Sequence, residues 1–169
     1  MGRSQGSRNQ GLYSQEERRR RDASPWTVVQ AILAPLQFLI FLISLVLVLR
    51  YLLTGEGFEI ATISIVVKTL VLYAIMVTGS IWERDVFGRY LFAPAFYWED
   101  VCSILVLALH TAYLAALFFS WLGPTGQMGL ALAAYAAYVI NATQFLLKLR
   151  TARLERPVTD VAGLAEPAR

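Results

Sequence analysis

Two long uncharged runs organise the chain. Thr27 to Leu49 is a run of 23 residues without Asp, Glu, Lys or Arg, and 47 more lie between Asp100 and Lys148. At about 1.5 Å per residue, 23 helical residues reach roughly 35 Å, enough for a hydrocarbon core of about 30 Å. Backbone N–H and C=O groups find no water in lipid, so such runs must satisfy each other as helices. Gly123-Pro-Thr-Gly126 breaks the longer run in two. Thr54-Gly-Glu-Gly57 marks a turn after the first. The pattern predicts an all-α, polytopic membrane protein: a four-transmembrane-helix bundle with both termini cytoplasmic. Spans are expected at about 26–53, 59–82, 100–122 and 127–150, in a membrane domain of residues 25–151. Residues 1–24 read as a polar tail with a short amphipathic helix, and 152–169 as a cytoplasmic tail.

The flanks carry local signals. Ser14 and Glu17 have capping-box spacing, and Glu16–Arg20 and Glu17–Arg21 are i,i+4 pairs, so a helix is expected from about Gln15 to Asp22. Ser24 is placed to cap the next helix, with Pro25 at its first position. The apolar segment after Arg21 is too long for a cleavable signal.

Composition agrees. Of the 169 residues, 57% are hydrophobic and 16% charged, too few polar groups to cover a soluble fold, and the mean hydropathy is +0.52. Lys and Arg gather in the amino-terminal segment (Arg3, Arg8, Arg18 to Arg21), the middle connection (Arg84, Arg89) and the carboxyl end (Lys148, Arg150, Arg153, Arg156, Arg169). The two short turns have none, so an even number of spans puts the basic segments on the cytoplasmic side. Arg50 departs from this pattern, with Glu56 or Glu59 in reach. Trp26, Tyr51, Trp82, Trp98 and Trp121 fall at the expected interfaces. The Arg18 to Arg21 cluster reads as a topology signal touching anionic lipid, not as a nucleic-acid site.

Polar residues inside lipid are the pointers to chemistry, because burying them is unfavourable. Glu99, Ser103, His110 and Tyr113 share one face of the third span, with His110 about 16 Å deeper than Glu99. Gln30, Gln37 and Ser44 repeat every seven residues on the first span, and Tyr138, Asn141 and Gln144 every three on the fourth. Gln37, His110 and Tyr138 lie near one depth, and Lys68 on the second span either snorkels or reaches inward. Interhelical hydrogen bonding accounts for most of the Gln, Ser, Tyr and Asn set. Lys68 and His110, being titratable, point further towards function. Trp82 to Asp100 is the chemically densest stretch, with four carboxylates (Glu83, Asp85, Glu99, Asp100), two arginines and seven aromatic residues. Flat aromatic walls suit a planar apolar ligand and arginines its carboxylate, while an amphipathic segment lying in the interface is the plainer reading.

Several chemistries are excluded. Cys102 is the only cysteine, so there is no intrachain disulfide or CxxC metal site. His110 is the only histidine, which removes bis-histidine haem within one chain. No GxGxxG, Walker A, HExxH or GxSxG is present.

The stretches Glu-Glu-Arg-Arg-Arg-Arg-Asp-Ala-Ser-Pro-Trp-Thr (16–27), Val-Val-Lys-Thr-Leu (66–70), Ile81 to Asp100, Ala-Leu-His-Thr-Ala-Tyr (108–113) and Asn141 to Arg150 resemble the 3-vinyl bacteriochlorophyllide hydratases of phototrophic bacteria. The likeness runs from Leu12 to about Leu154. It implies a hydro-lyase of bacteriochlorophyll biosynthesis that adds water to the C-3 vinyl group of a (bacterio)chlorophyllide, giving a 1-hydroxyethyl group. It implies a multi-pass protein of the bacterial inner or intracytoplasmic membrane, contact with lipid and with other pigment-biosynthesis enzymes, and no cofactor beyond the magnesium of the substrate. It does not identify catalytic residues. The alternative class is a non-enzymatic pigment carrier or an assembly factor for photosynthetic complexes.

Vinyl hydration needs an acid to protonate the terminal carbon and a base to help water attack the inner one. Two placements of the ring follow. With the ring at the cytoplasmic rim, Glu99 and Asp100 form the acid–base pair and Arg84 or Arg89 holds the propionate. With His110 as axial ligand to the substrate magnesium, the ring lies deeper and the acid comes from another helix or a folded-in loop carboxylate such as Glu83 or Asp85; the rival role for His110 is acid or base itself. Lys68, Gln37, Tyr138 and Asn141 then join the binding set. Entry from the cytoplasmic interface favours the rim.

Overall fold

The computed structural model describes residues 12–154. Residues 1–11 and 155–169, parts of the tails expected at 1–24 and 152–169, lie outside them. A short helix, α1 (Gln15–Ala23), precedes four long ones: α2 (Pro25–Thr54), α3 (Phe58–Phe87), α4 (Tyr97–Phe118) and α5 (Pro124–Leu154). The described residues contain no strand, so the all-α expectation holds. All four long helices are apolar and long enough to cross a membrane.

The helices pair as two antiparallel hairpins, α2 with α3 and α4 with α5. The hairpins close into a bundle through α2 against α5 and α3 against α4. The start of α2, the end of α3, the start of α4 and the end of α5 therefore lie at one end, here called the charged end.

Lipid as solvent decides what faces where. Leu53 is 85% exposed and Phe118 83%, exposure that water would penalise but hydrocarbon does not. The interior holds the polar side chains instead: Gln37, Ser44, Lys68, Thr69, Ser103, His110 and Asn141 are buried with Phe41, Ile65, Val106 and Tyr135.

The boundaries differ from the sequence expectation where charge misled it. α3 continues through Glu83, Arg84 and Asp85 to Phe87, and stops where Gly88 takes φ 79° and its N–H caps Arg84 O. At about 1.5 Å per residue a 30-residue helix spans roughly 45 Å, more than the hydrocarbon core, so its charged last turns project from it. α4 begins at Tyr97 rather than 100 and ends at Phe118 rather than 122.

α1 forms with the capping box in place: Ser14 N–H donates to Glu17 Oε2 at 2.7 Å and Glu17 N–H to Ser14 Oγ at 3.3 Å. Arg20 pairs with Glu16 at 3.1 Å. Arg21 turns to Asp22, at 2.8 Å, and not to Glu17 as the i,i+4 spacing suggested. Ser24 sits at the N-cap of α2, but its hydroxyl donates to Asp85 Oδ2 at 2.9 Å instead of accepting the cap bond. That bond ties the α1–α2 corner to α3. Arg50 approaches Glu56 at 3.9 Å, a loose exposed pair.

Candidate functional site

The charged end gathers the densest chemistry. α3 brings Glu83, α4 brings Glu99 and Asp100, and α5 brings Lys148. Glu83, Glu99 and Asp100 are 5%, 7% and 5% exposed, so all three carboxylates are drawn inward from the rim. The connection between α3 and α4 folds over them. Its Phe92 N–H donates to Asp100 Oδ2 at 2.7 Å, and Ala93 N–H to Glu83 Oε2 at 3.3 Å. Phe92 holds φ 60°, a left-handed conformation that costs a residue with a side chain roughly 1–2 kcal/mol. The strain falls on the residue that feeds its N–H to Asp100.

Glu83 and Asp100 also lie side by side, close enough for each carboxyl group to act on the other. Two buried carboxyl groups so close favour one proton held between them over two negative charges. Glu99 is differently placed: it accepts from Lys148 Nζ at 2.5 Å. Sequence reasoning put Glu99 and Asp100 together as neighbours on one helix. The fold instead turns Asp100 towards α3 and Glu99 towards α5, because consecutive helical residues point about 100° apart.

An aromatic wall adjoins this cluster. Phe96 is 3% exposed and packs on Trp82 at 5.7 Å, Phe87 at 5.8 Å and Phe145 at 6.0 Å between ring centroids. Tyr13, reaching in from before α1, stacks on Phe87 at 5.8 Å with Arg21 over its ring at 5.0 Å. Burial pushes the Tyr13 phenol pKa up, against the nearby Arg21 cation. Lys148 Nζ lies 4.8 Å from the Phe96 centroid, so one ammonium joins the wall to the carboxylates. Trp82 Nε1 donates to Thr27 Oγ1 at 2.9 Å, fixing the wall to α2.

The other residues expected from sequence are dispersed. Arg84 is exposed and donates to Tyr90 Oη at 2.6 Å, and Arg89 is exposed in the connection. Both flank the carboxylates at the surface. Asp85 is taken by Ser24.

His110 and Lys68 form a separate cluster deep in the bundle. Both are 0% exposed, so Lys68 reaches inward and does not snorkel. Its Nζ lies 3.0 Å from His110 Nε2. His110 Nδ1 is 2.8 Å from Val106 O, which assigns the Nδ1–H tautomer and leaves the Nε2 lone pair to accept from Lys68. The Lys68 ammonium is caged by Tyr138 (4.1 Å to the centroid), Tyr135 (5.2 Å) and Phe41 (5.8 Å). Axial ligation of magnesium by His110 requires Nε2 to leave Lys68, since both ring nitrogens are engaged.

Asn141 Nδ2 donates to Ser103 Oγ at 2.7 Å, linking α5 to α4. Gln37 is 2% exposed, and neither of its side-chain polar atoms has a hydrogen-bond partner. No group of three or more acidic, histidine or cysteine side chains among the described residues is arranged to hold a metal ion.

Lys148 and the Phe92–Ala93 backbone were not singled out from sequence. Lys148 carried a signal: it is the first charge after the 47-residue run that Asp100 closes at its other end. Folding that run in half at Gly123 brings its two ends together.

Residues 13–151 match the family described as 2-vinyl bacteriochlorophyllide hydratase (BCHF). A protein of that name from Rhodobacter capsulatus is 67% identical over 158 residues, covering 90% of this chain and 89% of the relative. Another of that name from Cereibacter sphaeroides is 69% identical over 145 residues, covering 85% of this chain and 89% of the relative. No solved structure matches the chain.

Proposed function

The chain belongs to the 2-vinyl bacteriochlorophyllide hydratase family, and we propose that it hydrates the vinyl group at the charged end of the bundle, with Glu83 and Asp100 as acid and base. The observation that carries this reading is the carboxylate pair itself: two buried acids side by side, under two backbone N–H donors and beside a wall of aromatic rings.

Glu83 is the better acid of the two. Asp100 takes the shorter backbone bond, 2.7 Å against 3.3 Å, which favours its ionised form and leaves the shared proton with Glu83. Glu83 gives that proton to the terminal vinyl carbon. The electron pair of the C=C bond forms the new C–H bond, and the positive charge left on the inner carbon spreads into the macrocycle. Water adds there, and its surplus proton returns to the carboxylates. The pair ends as it began, so no oxidant, reductant or net proton is consumed.

The neighbouring groups have supporting tasks. The Glu99–Lys148 ion pair puts a cation next to the pair and holds α4 to α5. Phe96, Phe87, Trp82 and Tyr13 offer a flat apolar surface for the macrocycle edge. Arg84 and Arg89, at the rim, are placed for the substrate propionate. Lys68, His110 and Tyr138 hold the bundle from within, and magnesium stays part of the substrate. The charged end faces the cytoplasm of the bacterial inner membrane, both chain ends included, and other pigment-biosynthesis enzymes exchange substrate and product there.

The test is direct. The purified full chain, given a vinyl-bearing bacteriochlorophyllide in water enriched in oxygen-18, is expected to yield the 1-hydroxyethyl pigment with the label in its hydroxyl. Pigment binding without product points instead to a carrier.

A further inference from the structure

Hydration has two substrates, and the second is water. On the membrane side of the Glu83–Asp100 pair lie amides whose hydrogen-bonding capacity exceeds what their neighbours supply. Gln37 Oε1 and Nε2, Asn141 Oδ1 and Gln144 Oε1 all lack partners. Buried polar atoms are almost always satisfied, and each orphan costs free energy unless water fills it.

The helix register steps these atoms inward from the pair. On α2, Phe41 packs against Tyr138 of α5 at 4.9 Å and against Tyr135 at 5.4 Å. α2 and α5 run antiparallel, so one turn back from Phe41 and one turn on from Tyr138 brings Gln37 towards Asn141. Asn141 is fastened to Ser103 of α4. Ser103 follows Asp100 by three residues, about 4.5 Å along the helix. Gln144 lies one turn from Asn141 on the side of Glu99 and Lys148. Ser103 Oγ accepts from Asn141 and still has its own hydrogen to donate.

We propose that Ser103, one turn beneath Asp100, with Asn141, Gln144 and the deeper Gln37, holds water on the membrane side of the carboxylate pair and supplies the molecule that adds to the vinyl group. This rests on the hydratase reading above. The set has donors in Gln37 Nε2 and Ser103 Oγ and acceptors in three amide oxygens, five groups in all, more than the two to four partners one buried water takes and so enough for more than one. Asp100, one turn away, receives the proton that the attacking water sheds. The amides act by positioning that water, and they leave the acid step to Glu83.

The experiment uses the full chain in detergent. Gln37→Met and Asn141→Leu keep side-chain size but remove the water's partners. Each is expected to lower kcat about tenfold or more while KM and the pigment absorption shift on binding stay within about twofold. Asn141→Ala enlarges the site. In buffer containing dilute methanol it is expected to give a fraction of methyl ether beside the alcohol: the methanol oxygen bonds the inner carbon and its hydroxyl proton goes to the carboxylates. Wild type is expected to give alcohol alone. This product ratio does not depend on how much of the variant folds. Unchanged kcat in both Gln37→Met and Asn141→Leu, or the same product ratio in Asn141→Ala as in wild type, overturns the water site. Full turnover by Glu83→Gln overturns the acid pair instead, so the two failures are told apart.

Discussion

Glu83→Gln isolates the proton from everything else that Glu83 does. The glutamine carbonyl can still accept from Ala93 N–H, now 3.3 Å from Oε2, and its amide can donate to Asp100 in place of the shared proton. Both hydrogen bonds survive, so folding stability is expected to change by less than about 1 kcal/mol. What disappears is the acid. General acid catalysis is worth about 10²–10⁴ in rate, or roughly 3–5 kcal/mol at 1.36 kcal/mol per factor of ten. The expected result is therefore a kcat lower by that factor with pigment binding intact, measured by chromatographic separation of vinyl and hydroxyethyl pigments and by absorption titration. The pH profile adds a signature. In wild type the rate falls on the alkaline side as the pair loses its one proton, and on the acid side as the second carboxylate gains one, giving a bell. The residual rate of Glu83→Gln should lack the alkaline limb. Turnover within about tenfold of wild type would refute the reasoning, as would loss of pigment binding in parallel with rate.

Three other outcomes follow from the same structure. Lys148→Met strands the Glu99 charge at a position 7% exposed and should destabilise the protein by about 1–3 kcal/mol in detergent melting, with Glu99→Gln in the same chain restoring most of the loss. His110→Ala leaves Lys68 without its acceptor and should lower stability by about 1–3 kcal/mol with the bound pigment spectrum unchanged; loss of pigment binding would revive magnesium ligation. In a Cys102→Ser background, cysteine at Arg89 should be labelled only from the cytoplasmic face and cysteine at Gly123 only from the opposite one, and the reverse pattern would invert the proposed orientation.

The bundle belongs to the class of proteins whose solvent is hydrocarbon, and its interior reads accordingly. Six buried polar side chains are tied across helices by hydrogen bonds at Lys68–His110, Ser103–Asn141 and Ser44–Tyr135, at 3.0, 2.7 and 2.5 Å. Apolar packing alone gives little preference for protein over lipid, so such bonds help to select which helix faces which.

The sequence by itself determined the number of spans, their turns and the polar face of each. An uncharged run of 47 residues broken by Gly123 and Pro124 admits few folds other than a hairpin, because lipid leaves a backbone no option but helix. Periodicity likewise put Glu99, Ser103, His110 and Tyr113 on one face, and all four are buried. Which partner each polar group meets was decided only in three dimensions. Glu99 and Asp100 are neighbours in sequence yet face different helices, and Glu83 joins Asp100 because α3 continues past the membrane to Phe87 before Gly88 ends it. Ser24 carried a helix-cap signature, but Asp85 from another helix took its hydroxyl. Local patterns fix the direction of a side chain about its own helix axis. The rotation and register of one helix against the next depend on packing all of them at once, and the chemistry of the charged end is a product of that packing.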